Sequence, residues 1–457
     1  MTRRAMTVCA ALGVLLASTA GAQVEGEFAS CVAQLRRDLA QYPQVRVASF
    51  DEFTRQAADL RPVIEAATRS QPEFTLPVWD YVARLADAER EADGREVLSR
   101  EHAPLAAIEA RHGVDAATVV AVFGVETNFG RVAGRHPVVD ATLSRACLNL
   151  SSQERKSHFF SALWLLQEGW VQPESFRGSW AGAFGLTQFM PGTFVRYRDD
   201  GDGDGRPDIV SSVPDALAST ARYLAALGWT SGLPWGWEVR VPADLATARN
   251  ALQSEHACAA AREPQGRCLA LSDWATRGVA RLDGAALEGD TPAALLMPAG
   301  AGGPAWLVTR NFQALWQYNR ADAYALAIGL LANGLRGDPP KRTAWPTDDP
   351  GLSRAELREL QALLIARGRT DLSVDGADGP RTRAAVRAEQ EAQGWPATGR
   401  PGRVLLQRLR AAAVPAETAA AGVPSAPEPS ASAAQCAGEA ASSAGSSCSP
   451  LDAAGTR

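Results

Sequence analysis

The run Asp115-Ala-Ala-Thr-Val-Val-Ala-Val-Phe-Gly-Val-Glu126-Thr-Asn-Phe-Gly130 reads as a nearly all-apolar helix, capped by Asp115, that delivers one carboxylate at its C-terminal end. There Glu126 faces the negative pole of the helix dipole beside Phe123, Val125 and Phe129. Dipole and burial both disfavour the ionised form, so its pKa is expected to rise. A carboxyl kept protonated near neutral pH can protonate a glycosidic leaving oxygen. The helix pattern alone describes a capping or salt-bridged structural glutamate equally well.

A second cluster of oxygen donors lies at Asp200-Gly-Asp202-Gly-Asp204-Gly205-Arg206-Pro-Asp208, with carboxylates at alternate positions and glycine at the sixth, like the opening of an EF-hand loop. Hard oxygens at this spacing suit calcium, with Arg206 offering its backbone carbonyl and Asp208 a direct or water-bridged contact. Ser211 stands where the usual bidentate glutamate would be. A flexible acidic turn is the plain alternative.

The elements that must hold these groups are mostly helical. Helix periodicity covers residues 28–41, 50–70, 79–112 and 114–125, and returns at 319–335. Between Trp229 and Val308 it gives way to short extended segments punctuated by Gly and Pro, expected to form a small, partly β insertion. Residues 338–351 read as a linker. Residues 352–410 read as a small helical module that opens with a capping box at Ser353 and Glu356. The last stretch, 411–457, is nearly all Ala, Ser, Gly and Pro and is expected to be disordered.

A chain of 457 residues holds two or three domains on a length prior, and 46% hydrophobic with 21% charged residues is ordinary globular composition. The net charge of −5 leaves no global footprint for nucleic acid or anionic lipid. Arg3 and Arg4 precede a short apolar run and then Ala20-Gly21-Ala22, so residues 1–22 read as a secretory signal. Cys9 lies inside that run rather than at the junction, which argues against a lipid anchor. Export makes disulfides plausible for Cys31, Cys147, Cys258, Cys268, Cys436 and Cys448. Proximity favours Cys258 with Cys268 and Cys436 with Cys448, leaving Cys31 for Cys147; free buried thiols are the alternative.

The stretch Gly124-Val-Glu-Thr-Asn-Phe-Gly-Arg131 resembles the catalytic motif of the family-B lytic murein transglycosylases. Residues 178–191, Gly-Ser-Trp-Ala-Gly-Ala-Phe-Gly-Leu-Thr-Gln-Phe-Met-Pro, resemble that family's second signature, and Trp316-Gln-Tyr-Asn-Arg320 its third. The resemblance implies a lysozyme-like helical catalytic domain over residues 23–337. It makes Glu126 the acid and base, with Ser179, Gln188, Tyr318 and Asn319 contacting substrate and Arg155 and Lys156 lining the groove. Ordinary glycosidases use two carboxyl groups. The signature segments supply one, with Glu168 and Glu174 read as surface or packing groups. This suits the family's intramolecular reaction, a carbohydrate lyase step that leaves a 1,6-anhydro sugar. Some relatives carry a similar aspartate loop, so the resemblance favours a structural calcium and implies no cofactor for catalysis.

Residues 352–410 resemble a three-helix peptidoglycan-binding domain through Val374-Asp-Gly376 and Asp378-Gly-Pro-Arg-Thr382, with Glu389 where an aromatic residue is usual. Such a module is expected to raise residence on the cell wall while leaving soluble-glycan cleavage nearly intact. The implied partner is peptidoglycan, in the periplasm, with other cell-wall enzymes left open. A muramidase that hydrolyses the same bond, or a non-catalytic wall-binding scaffold stabilised by calcium, are the competing readings.

Overall fold

The computed structural model describes residues 26–248 and 268–413. The expected export signal, most of the C-terminal tail, and Cys258, Cys436 and Cys448 lie outside the described residues. Within them the chain is dominated by helices, α1 at residues 26–38, then α2 (Val47–Thr54), α3 (Arg61–Thr68), α4 (Pro72–Thr75), α5 (Val78–Leu85), α6 (Ala88–Arg100), α7 (His102–His112) and α8 (Ala116–Thr127). There follow α9 (Val138–Leu148), α10 (Gln153–Gln167), α11 (Pro191–Tyr197) and α12 (Val213–Ala226).

Two of the expected helices break. The 50–70 run divides because Pro62 falls in the first turn of α3, where proline starts a helix more readily than it continues one. The 79–112 run divides into α5, α6 and α7. Asp87 caps α6 by accepting from the Arg90 amide at 2.7 Å, which satisfies an amide that a continuous helix would have bonded internally. Apolar spacing continues across both breaks, so periodicity alone could not reveal them.

Strand β1 (His136–Pro137) pairs with β2 (Arg177–Gly178). The insertion carries β3 (Gly236–Arg240), the short helix α13 (Ala243–Ala248), β4 (Cys268–Ala270), α14 (Leu271–Thr276), β5 (Ala280–Arg281), β6 (Pro292–Leu296) and β7 (Ala305–Val308). Its five strands form one sheet in the order β4-β6-β7-β3-β5, every neighbour antiparallel. The chain then returns to helix as α15 (Arg310–Asn319) and α16 (Asp322–Arg336), and ends in the three helices α17 (Arg354–Ala366), α18 (Pro380–Ala392) and α19 (Arg403–Ala413).

Four apolar clusters result. In the first, α8 and α16 pack together with α5 to α7 and α12 around Val119, Phe123, Leu326 and Leu331. The second gathers α1, α2 and α9 to α11 around Leu35, Phe159, Phe160 and Phe184. Its outer edge is fastened by a disulfide between Cys31 and Cys147, with Cα atoms 5.7 Å apart. Leu186 and Tyr318 pack against both clusters and mark the seam between them. The third cluster lies under the insertion sheet and the fourth inside the C-terminal three-helix module. Cys268 is also disulfide-bonded. No helix among the described residues is long and apolar enough to cross a membrane.

The stretch 338–351 is not a free tether. Glu238 accepts from the amides of Arg342 and Thr343 at 2.7 and 2.8 Å, and Trp345 packs between Trp79 and Trp306. Beyond it the module is docked on α5 and α6 by ion pairs, among them Arg400 with Asp80 and Arg354 with Asp87. Glu389, which replaces an expected aromatic residue, is buried inside the module and held by Arg367 at 2.9 Å and Arg369 at 3.7 Å. Its place is explained by this internal ion cluster.

Candidate active site

Helix α8 forms as its sequence suggests. Asp115 accepts from the Thr118 amide at 3.0 Å, and the apolar body from Val119 to Phe123 is buried on every side. It ends abruptly, because Asn128, Phe129 and Gly130 all take left-handed conformations, with φ of 50°, 58° and 81°. The reversed turn folds the Phe129 ring back over Gly124, where a Cβ would come within 2.6 Å of it. Glycine is therefore required at that position. This is how Glu126, the penultimate residue of the helix, is aimed into the seam.

Thr127 locks the turn to the second signature loop. Its hydroxyl donates to the Leu186 carbonyl at 2.6 Å and accepts from the Gly130 amide at 3.0 Å. The loop itself is a tight hairpin in which Phe184 and Phe189 exchange both backbone bonds at 2.9 Å. Gly185 and Gln188 turn its corner with φ of 76° and 51°. Around Ser179 the chain is pinned by the hydroxyl oxygen, which accepts from the amides of Ala181 and Ala183 at 3.3 and 3.1 Å. Its own proton is left to donate elsewhere. Gln188 donates to the Gly185 carbonyl at 2.9 Å.

Burial pushes the Glu126 carboxyl up to about 7; a hydrogen bond from the Tyr324 hydroxyl works against that rise and the charge of Glu73 adds to it. Tyr318 donates to the Thr187 carbonyl at 2.7 Å, and its ring stacks on Tyr324 with centroids 6.3 Å apart. Tyr81, Tyr318 and Tyr324 are all shifted upward, by burial first and then by nearby carboxylate charge, so each stays a neutral hydroxyl beside Glu126. A protonated carboxyl surrounded by neutral donors can give a proton at pH 7 and take it back.

The expected residues do not all converge. Ser179, Gln188, Tyr318 and Asn319 lie on the loop and helix end that frame the seam. Arg155 is partly exposed near the start of α10 and donates to the Arg145 carbonyl at 3.3 Å. Lys156 is a correction, because its ammonium is buried against Asp38 on α1 at 2.6 Å. A cation so engaged cannot reach a groove. It holds α10 to α1 instead.

The structure also brings in residues that the sequence reading missed. Tyr324 touches Glu126 directly. Its signal was a polar-tipped aromatic in an otherwise Ala and Leu helix, but an aromatic there reads first as core. Glu73 on α4 is the carboxylate whose charge reaches Glu126, and it accepts from Gln71 at 3.1 Å and Asn319 at 3.4 Å. Nothing in its local pattern set it apart. Glu168 and Glu174 lie exposed on the surface, as expected.

In the aspartate loop, carboxylate oxygens of Asp200, Asp202 and Asp204 lie within 4.8 Å of one another. Asp208 does not join them. Its Oδ1 accepts from the amides of Val210 and Ser211, which closes its own turn, and the Arg206 side chain reaches away to the Gly169 carbonyl. Beneath the loop, buried Asp215 accepts from the amides of Gly201, Asp202 and Asp208 and fixes the backbone. Three hard oxygen donors on a braced loop fit calcium, without the fourth bidentate carboxylate.

A helical seam with one raised glutamate between two signature loops defines a glycan-cleaving enzyme of lysozyme-like build. The chain matches the Transglycosylase SLT domain family over residues 27–333 and the family described as "Putative peptidoglycan binding domain" over residues 353–409. It belongs to the lytic transglycosylases of family B and carries a C-terminal peptidoglycan-binding domain. SltB3 from Pseudomonas aeruginosa, solved in complex with NAG-anhNAM-pentapeptide, is 40% identical over 84% of this chain and 99% of its own, with a TM-score of 0.60. Soluble lytic transglycosylase SltB1 from the same organism is 27% identical over 67% of this chain and 99% of its own, with a TM-score of 0.56. Membrane-bound lytic murein transglycosylase B of Escherichia coli (strain K12) is 28% identical over 233 residues, which span 49% of this chain and 58% of that protein. The chain thus covers little more than half the length of that curated relative.

Proposed function

We propose that this protein cleaves the β-1,4 bond between MurNAc and GlcNAc in peptidoglycan strands and leaves a 1,6-anhydro-MurNAc end. The observation that carries the reading is Glu126, whose carboxyl burial raises to about 7 and which accepts a hydrogen bond from Tyr324 at the seam between two apolar clusters. Its proton passes to the GlcNAc oxygen as that bond breaks, while the MurNAc acetamido group assists departure. The Glu126 carboxylate then accepts the proton of the MurNAc 6-hydroxyl, whose oxygen closes on the anomeric carbon. One carboxyl suffices, and no water is consumed. Ser179, Gln188, Tyr318 and Asn319 are assigned to substrate contact, and Arg155 to the acidic lactyl or peptide groups. The solved complex of SltB3 with an anhydro-muramyl ligand supports the choice of product.

Glu73 favours a second reading, hydrolysis, because it is a second carboxylate near the first and could direct a water. Mass spectrometry of digested sacculi decides between them. Anhydro-ended fragments weigh one water less than reducing-ended ones, and a product set made only of the latter would replace the lyase reading.

A periplasmic location is supported by the signal-like sequence of residues 1–22, with Arg3 and Arg4 before a short apolar run, and by the Cys31–Cys147 disulfide. Calcium at Asp200, Asp202 and Asp204 is proposed as structural, since these groups brace the chain between α11 and α12.

A further inference from the structure

The C-terminal module meets the catalytic domain at a chemically particular place. Arg354, at the first position of α17, donates through Nη1 to the Asn128 side-chain oxygen at 2.5 Å. Its Nε and Nη2 meet the two oxygens of Asp87 at 3.1 and 3.2 Å. Asp87 has only 3% of its side chain exposed and caps α6; from that helix Arg90 donates to the Gly124 carbonyl of α8. One guanidinium therefore ties the module to both the start of α6 and the end of the helix that carries Glu126. A second fork holds the other side of the interface, where Arg400 grips Asp80, itself 1% exposed, at 2.7 and 2.8 Å.

Asn128 is the first of three consecutive left-handed residues, two of them not glycine. Such conformations are disfavoured for residues other than glycine and persist only where neighbours over-determine them. Thr127, just before this reversal, fastens it to the second signature loop through the Leu186 carbonyl, and Gly130, its last residue, donates back to the Thr127 hydroxyl. Holding Asn128 therefore holds the geometry in which Glu126 is desolvated.

We propose that Arg354 is a positioning residue for Glu126, so that docking of the C-terminal module completes the active site in addition to any wall binding by the module. The proposal rests on the reading of Glu126 as the acid and base. When the fork is lost, the left-handed turn relaxes and Glu126, half-buried in the parent, becomes more fully hydrated. The groups that face it are Tyr324 of α16, Tyr318 of α15, Glu73 of α4 and Tyr81 of α5. None of these is altered by changing Arg354, so a shift in the titration of Glu126 would report the turn itself.

The test uses the full chain and short soluble glycan fragments from peptidoglycan, too small to need retention by the module. Arg354→Lys keeps the charge at Asp87, but a single ammonium lacks the planar fork that serves both partners. Arg354→Gln removes the charge as well. Both are expected to lower kcat with KM within about twofold, Gln by about ten- to a hundredfold and Lys by less, since small misplacements at a catalytic group cost that much. The alkaline limb of the rate profile should move to lower pH. Arg410→Gln, which breaks an exposed pair with Glu359 inside the module, should change neither. Parent-like kcat and pH limb in the Lys and Gln variants, even with a lowered melting temperature, would make Arg354 a structural group only and overturn the proposal. If Arg354→Gln does not fold, the Lys variant decides. An active Glu126→Gln enzyme in the same assay would mark the separate failure of the acid and base assignment.

Discussion

Glu126 holds its proton because desolvation outweighs the Tyr324 hydrogen bond, and that balance predicts two shifts of opposite kind. The acid form starts the reaction, so the rate should fall as pH rises through about 7. Tyr324→Phe removes a bond that favours the carboxylate. The Glu126 pKa should then rise further, which a rate profile would read as an alkaline limb moved to higher pH. A limb that stayed in place would mean that Tyr324 does not tune the acid. Glu126 was a candidate in the sequence as a carboxylate closing an apolar helix, and the resemblance of its motif, Gly124 to Arg131, singled it out. Tyr324 and Glu73 were not, because they reach the site through tertiary packing of α16 and α4, which no local pattern records.

At the scale of the elements, Lys156 shows how adjacency in sequence misleads. Arg155 and Lys156 are neighbours on α10 but point about 100° apart, as successive helix residues do, so one stays partly exposed while the other is buried. Asp38 meets Lys156 from α1; burial, the largest influence, raises its carboxyl, but hydrogen bonds from Lys156 and Gln34 and the charges of Lys156 and Arg37 together outweigh it, so Asp38 sits below the usual range. Lys156→Met should therefore destabilise the fold by about 3 kcal/mol or more, the scale for breaking a buried pair, with KM unchanged in the surviving enzyme. Equilibrium denaturation together with kinetics would check this, and a raised KM at parent stability would return Lys156 to the groove. The aspartate loop carries its own expectation. Calcium above its dissociation constant should raise the melting temperature in proportion to the logarithm of its concentration, and Asp202→Asn should abolish the effect. Identical melting curves in chelator and in calcium would remove the ion from the account. The alternating aspartates were legible, whereas Asp215, which braces them from α12, was not, since its role depends on where that helix packs.

The whole molecule is more integrated than its sequence suggests. A Pro-rich linker with a capped helical module after it reads as a tether, and the helical character of that module was legible from its own periodicity, while its three-helix fold was implied by the resemblance. What could not be read was the docking, because Asp80 and Asp87 lie more than two hundred and fifty residues from Arg400 and Arg354. Removal of the module and the stretch before it would take the cations from Asp80 and Asp87 and expose the apolar surface of Trp79 and Trp306 that Trp345 covers. Truncation after Gly337 should therefore lower the melting temperature of the catalytic domain and weaken cleavage of soluble glycans as well as of sacculi. A truncated enzyme with parent stability and parent turnover on soluble glycans would restore the simple tether.

If one carboxyl both gives and takes the proton, Glu126→Gln should stop both halves of the reaction. The substitution is nearly isosteric and keeps a hydrogen-bonding group for Tyr324, so folding and substrate binding should survive. Release of anhydro-ended fragments from sacculi, followed by mass spectrometry, should fall by about a hundred- to ten-thousandfold or more, since the same group serves both halves of the reaction. A folded Glu126→Gln protein releasing anhydro-muropeptides at close to the parent rate would contradict the account and turn attention to Glu73.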